Sequence, residues 1–137
     1  MIEEGLAAAR RLSAEGIAID VTLVGSAMQG LLAARAGASS VSPLVGPLDD
    51  MGHDGMAIVA QLRRIFASYD LETEVLAAAL RHPQHVLQAA LAGADIATMP
   101  APVLRQLLLH PLTDRGLDQY LNDWSKLGPR ARPEAAR

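Results

Sequence analysis

An α/β chain built on four parallel strands is the fold class this sequence predicts, and three observations carry it. Four short apolar stretches alternate with segments of helical period, and that order implies parallel strands joined by right-handed crossovers. Half of the residues are hydrophobic but only 3% are aromatic, so Ala, Leu and Val must fill the interior, as closely packed β/α layers do. Leu32-Ala33-Ala34-Arg35-Ala36-Gly37-Ala38-Ser39 also resembles Gln88-Ala89-Ala90-Leu91-Ala92-Gly93-Ala94-Asp95 in type and order, each closing a helix on glycine before a strand. The 137 residues fit one domain, which at this size buries roughly two-thirds of the unfolded chain's surface. A four-stranded parallel sheet is either an open doubly wound domain or half of an eight-stranded barrel. Composition does not separate the two.

Taken in order, Glu3 to Glu15 reads as a helix with Leu6, Ala9 and Leu12 on one side and Gly16 as its stop. Ile17 to Val24 reads as a strand buried on both faces, with Ile17, Ile19, Val21 and Leu23 on one and Ala18, Asp20, Thr22 and Val24 on the other. Ser26 caps a helix running through Leu31 and Leu32 to Gly37. Ser40 to Leu44 is a short strand, ended by Pro47 and a loop rich in Gly and Asp. Asp54 opens a longer helix carrying Met56, Val59, Leu62 and Phe66 at helical spacing. Glu74 to Ala79 is the third strand, and Pro83 sits in the first turn of the helix that follows. Asp95 to Met99 is the fourth strand, followed by a helix with Val103, Leu104, Leu107 and Leu108. A last helix from Asp114 to Lys126 aligns Leu117, Tyr120, Leu121 and Trp124 in one stripe, a packing face. Residues 1–127 are expected to form the folded unit, and 128–137, rich in Pro and Arg, a disordered tail.

Charge and composition exclude several function classes. A net charge of −3 with few aromatics provides neither a basic face nor base-stacking platforms, so no nucleic-acid partner is expected. The chain has no cysteine, which removes disulfides, zinc thiolates and thiol nucleophiles and suits a cytoplasmic protein. Met1-Ile2-Glu3-Glu4 is acidic and enters a helix at once, unlike a signal peptide, and no apolar run approaches the ~20 residues that span a bilayer. No membrane partner is expected.

Longer motifs choose between the two architectures. Glu4-Gly5-Leu6, Leu12-Ser13-Ala14-Glu15-Gly16-Ile17, Val21-Thr22-Leu23, Ser42-Pro43-Leu44-Val45-Gly46-Pro47-Leu48-Asp49-Asp50 and Gly52-His53-Asp54-Gly55-Met56 follow one another. Arg81-His82-Pro83-Gln84-His85-Val86, Ala92-Gly93-Ala94-Asp95-Ile96-Ala97-Thr98 and His110-Pro111-Leu112-Thr113-Asp114 continue the series. Together they resemble the C-terminal part of the small transaldolases, the group that includes fructose-6-phosphate aldolase, from about Glu4 to Trp124. The resemblance implies the C-terminal half of a (β/α)8 barrel. It also implies chemistry through a lysine at the end of the fourth barrel strand, in a Val-Lys-Ile-Pro-like motif, which forms a Schiff base with a ketose; desolvation suits an amine to that task. In this register Met1 falls just after that motif, so the first four strands and their lysine are expected to be missing. Lys126, the single lysine, lies in the last turn of the final helix, where a cation favours the helix dipole, and is not expected to replace it.

By the same resemblance, Pro47 stands where the family has a phosphate-binding arginine, and Ala79 where it has a phosphate-binding serine. Leu44 stands for the aromatic of the Ser-Pro-Phe/Tyr segment, and Gly25 for an aromatic near the end of the fifth strand. Thr22 matches the threonine that positions the catalytic water, and Arg81 matches a second phosphate-binding arginine. Asp20 shares the face of Thr22 where the family usually has a neutral residue; it is either a carboxylate hydrogen-bonded to strand-end groups or a new acid or base. Asp49 and Asp50 read as caps of a turn and helix. His53 with Asp54, and His82 with His85, have metal-ligand types, yet they open helices and resemble family positions where no metal is used; no metal and no cofactor is expected.

The expected protein is therefore transaldolase-like but not a Schiff-base transaldolase or aldolase. It is either a recruited lyase, isomerase or cyclase using Thr22 and Asp20 with Arg81 as anion ligand, or a non-catalytic subunit, or an inactive truncated relative. Two open sheet edges and an exposed inner face predict a homo-oligomer or a complementary half-barrel chain as partner.

Overall fold

The computed structural model describes residues 2–127; the predicted tail, 128–137, lies outside the described residues. Four strands, β1 (Asp20–Val24), β2 (Ser40–Pro43), β3 (Glu74–Ala77) and β4 (Ile96–Ala97), form one sheet in the order β1-β2-β3-β4, and each neighbouring pair is parallel. The order decides between the two architectures. A doubly wound sheet reverses its strand order at a switch point, whereas this sheet advances by one neighbour at every crossover, as successive units of a (β/α)8 barrel do. The fold is a partial β/α barrel.

The helices are α1 (Glu3–Ala14), α2 (Ala27–Arg35), α3 (Val45–Asp50), α4 (Gly55–Ser68), α5 (Pro83–Leu91), α6 (Ala101–Gln106) and α7 (Pro111–Lys126). Right-handed crossovers in one direction set the helices on one face of the sheet. The strand side chains on that face, Val41, Val75 and Ala77, are fully buried, and they meet Val59, Leu62 and Phe66 of α4 and Ala33 of α2. Gly30 of α2 lies so close to Leu62 that a β-carbon there would collide with its methyl groups; a small residue is what lets the two helices approach.

Two readings of the sequence need correction. The alternation expected along Ile17 to Val24 breaks: Val21 pairs with Val41 but Val24 with Pro43, so β1 carries one extra residue, a β-bulge. Leu23 takes a left-handed conformation at φ 58°. The bulge turns Val24 (1% exposed) into the core and leaves Leu23 62% exposed, the reverse of strict alternation. Second, Pro47 does not end the segment in a loop; it sits in the first turn of α3, where its missing N–H costs no hydrogen bond. Among the described residues no helix is long and apolar enough to cross a membrane.

Candidate functional site

The face of the sheet opposite the helices carries the polar residues. Asp20, Ser40 and Glu74 are register partners across β1, β2 and β3, and side-chain alternation sets Thr22 and Ser42 on the same face. The Asp20 carboxylate accepts from Ser40 Oγ at 2.7 Å, and Ser42 Oγ lies 2.8 and 2.7 Å from its two oxygens. Ser40 and Ser42 are buried while Asp20 and Thr22 are exposed. The carboxylate is thus held by two neutral hydroxyls, both of which donate hydrogen bonds to it, and it still presents lone pairs to the open face. Asp20 and Thr22 are brought together as their spacing predicts. Spacing along the chain does not reveal Ser40 and Ser42 as its partners, because they belong to the neighbouring strand.

The C-terminal strand ends form the second part of the site. Arg81, in the loop between β3 and α5, makes a two-pronged pair with Asp50 at the end of α3, at 2.5 and 2.7 Å. Its guanidinium lies against Gly46, where a β-carbon would strike Nε. The hydrogen bond from Arg81 holds the Asp50 carboxyl below the usual carboxylate range, and the same contact raises the arginine. Arg81 therefore reaches the mouth as expected, but its fork is committed to a carboxylate. Asp50, read from sequence as a cap, is an ion-pair partner instead.

The remaining singled-out residues position helices. Asp49 Oδ1 accepts from Gly55 N–H at 2.9 Å and Asp54 Oδ1 accepts from the N–H groups of Met56 and Ala57, so both serve the start of α4. His82 and His110 cap α5 and α7 through Nδ1, each followed by proline. His85 Nδ1 accepts from Arg81 N–H at 3.3 Å, which leaves the proton on Nε2, 3.1 Å from Asp49 Oδ2. That contact is close but not aligned, and Asp49 Oδ2 is buried without a hydrogen bond. Burial, and then the neighbouring His82, lower the His85 pKa. Among the described residues no three His, Cys, Asp or Glu side chains gather where a metal could sit. Lys126 stands far from the strand ends in sequence, in the last turn of α7, 3.3 Å from Asp123.

A parallel β/α unit with polar groups on the barrel-facing side and at the C-terminal strand ends defines a class, the barrel proteins that work at that mouth. The Transaldolase/Fructose-6-phosphate aldolase family model matches residues 1–130. A probable transaldolase of Herpetosiphon aurantiacus is 53% identical over 136 residues, covering 99% of this chain and 59% of that protein. Its counterparts in Moorella thermoacetica and Thermus thermophilus are 58% and 56% identical, each covering 93% of this chain and 59% and 57% of theirs. The chain belongs to the transaldolase/fructose-6-phosphate aldolase family. It spans 57–59% of the length of these relatives.

Proposed function

We propose that this chain supplies the proton-handling wall of a transaldolase-family site, with Asp20 as acid or base and Thr22 orienting water or a substrate hydroxyl. The substrate class is a small hydroxylated carbonyl compound, processed in a lyase-, isomerase- or cyclase-type step without a Schiff base on this chain's own lysine. The observation that carries the reading is the Asp20 carboxylate, fixed by Ser40 and Ser42 on the open face. A fixed carboxylate can take a proton from a substrate hydroxyl and return it without first reorganising. Arg81 is proposed as the ligand of any anionic group, available only when Asp50 lets it go. The closing surface is proposed to be a second copy of the chain in a homo-oligomer.

A second reading is supported by the exposure of β1 and β4 as sheet edges and by the 59% span. In it the chain is a non-catalytic part, completed by separate lysine-bearing strands. An NMR titration with dihydroxyacetone tests the first reading. Saturable shifts at Asp20, Thr22 and Ser42, lost in Asp20→Ala but kept in Arg81→Ala, are expected. Shifts unaffected by Asp20→Ala would move the working groups elsewhere and favour the second reading.

A further inference from the structure

We infer that the mouth of the sheet beside Thr22 holds an apolar subsite, and that the ligand of this site carries an uncharged ring or branched alkyl group of about six carbons. This rests on the reading above that Asp20 and Thr22 face the ligand. A cavity of about 160 Å³ opens where β1 and β2 end, lined by Leu23, Gly25, Leu44, Pro47, Leu48 and Met51 with Val24. The floor is made by Val24 and Leu48, 1% and 5% exposed, and the rim by Leu23 and Met51. No lining side chain can donate a hydrogen bond, and Pro47 brings no backbone N–H either.

Such a lining decides what can enter. An apolar cavity of about 150 Å³ accepts a benzene-sized group, and a flexible Met at the rim adapts to differing shapes. A phosphate in the same space would meet no side-chain donor to replace the water it gives up, which is unfavourable. The nearby cation does not change this, because Arg81 is held in both prongs by Asp50. Gly25 keeps one wall open: a β-carbon there would meet only Gln29 Oε1, at 3.6 Å, so a side chain can be added without backbone strain. Leu23 to Gly25 follow Thr22 directly in the chain, so the cavity lies at the end of the strand that carries Thr22.

Methyl NMR of the full chain, titrated with benzyl alcohol and separately with inorganic phosphate, tests the proposal. Benzyl alcohol should shift the methyls of Leu23, Leu44, Leu48 and Met51 saturably, and phosphate should leave them in place. Gly25→Phe should weaken benzyl alcohol binding at least ten-fold by filling the cavity, with Val59 and Leu62 methyls in the core reporting that the fold is kept. Met51→Glu, on the exposed rim, should weaken it as well and serves if the first variant does not fold. Linear, unsaturated shifts shared with the exposed leucines of α7, unchanged affinity in both folded variants, or phosphate shifting the same methyls would overturn it. The two readings fail separately. Loss of dihydroxyacetone shifts at Asp20 and Thr22 with benzyl alcohol still bound removes the proton-handling wall and leaves the pocket.

Discussion

Asp20 holds its position through two buried hydroxyls, and that makes each member of the trio depend on the others. Ser42→Ala removes the donor that reaches both carboxylate oxygens and should cost about 1.5–3 kcal/mol, the net worth of a hydrogen bond to a charged group; urea denaturation measures it. Asp50→Asn should release Arg81 and raise the affinity for inorganic phosphate, whereas Arg81→Ala should abolish it. Equal phosphate affinities in wild type and both variants would make Arg81 purely structural. The His85 pKa is lowered by burial, so between its folded value and the ordinary 6.5 the unfolded chain binds more protons than the folded one. Stability from this group is therefore complete above pH 6.5 and falls as the pH drops through the folded value. His85→Gln should flatten that slope in denaturation midpoints. At this scale the sequence made the shared face of Asp20 and Thr22 legible, since alternation is a local property. It could not show Ser40, Ser42 or Asp50 as partners, because those contacts join residues 20, 22 and 31 positions apart and are created by strand register and loop approach.

Elements were legible where their signals are local. Ser26 and Asp54 cap α2 and α4, Pro83 opens α5, and the Val59, Leu62 and Phe66 stripe of α4 is the core. The exceptions have physical reasons. The β1 bulge is set by pairing with β2 rather than by composition, and a left-handed leucine, unfavourable by roughly 1–2 kcal/mol, has no signature in the sequence. In α3, proline reads as a stop, but at a first turn it is compatible with helix. His82 and His110 use imidazole nitrogen for a task expected of Ser, Thr, Asp or Asn. Packing between elements gives a direct check. Gly30→Ala should force α2 away from Leu62 of α4 and cost about 1–3 kcal/mol, the usual range for overpacking. A thermal midpoint unchanged from wild type would mean that the two helices are not in close contact.

For the molecule as a whole, the sequential order β1-β2-β3-β4 leaves an unpaired edge at each side and a polar inner face in the open. Leu117, Tyr120, Leu121 and Trp124 of α7, predicted as a packing stripe, are all exposed in the single chain, and α7 has no buried residue. Both features predict association: light scattering at micromolar concentration should give a mass above 14.5 kDa, and a folded species of that mass would contradict it. The family resemblance was legible because its motifs run through the whole chain in order. What would cover the inner face was not, because a covering surface outside these residues leaves no pattern within them. The central claim is that this chain contributes a proton-handling wall and no covalent amine. Borohydride reduction in the presence of dihydroxyacetone, followed by intact-mass and peptide mass spectrometry, tests it most directly. The account predicts an unmodified chain; a stable adduct on Lys126, requiring dihydroxyacetone and absent in Lys126→Arg, would contradict it.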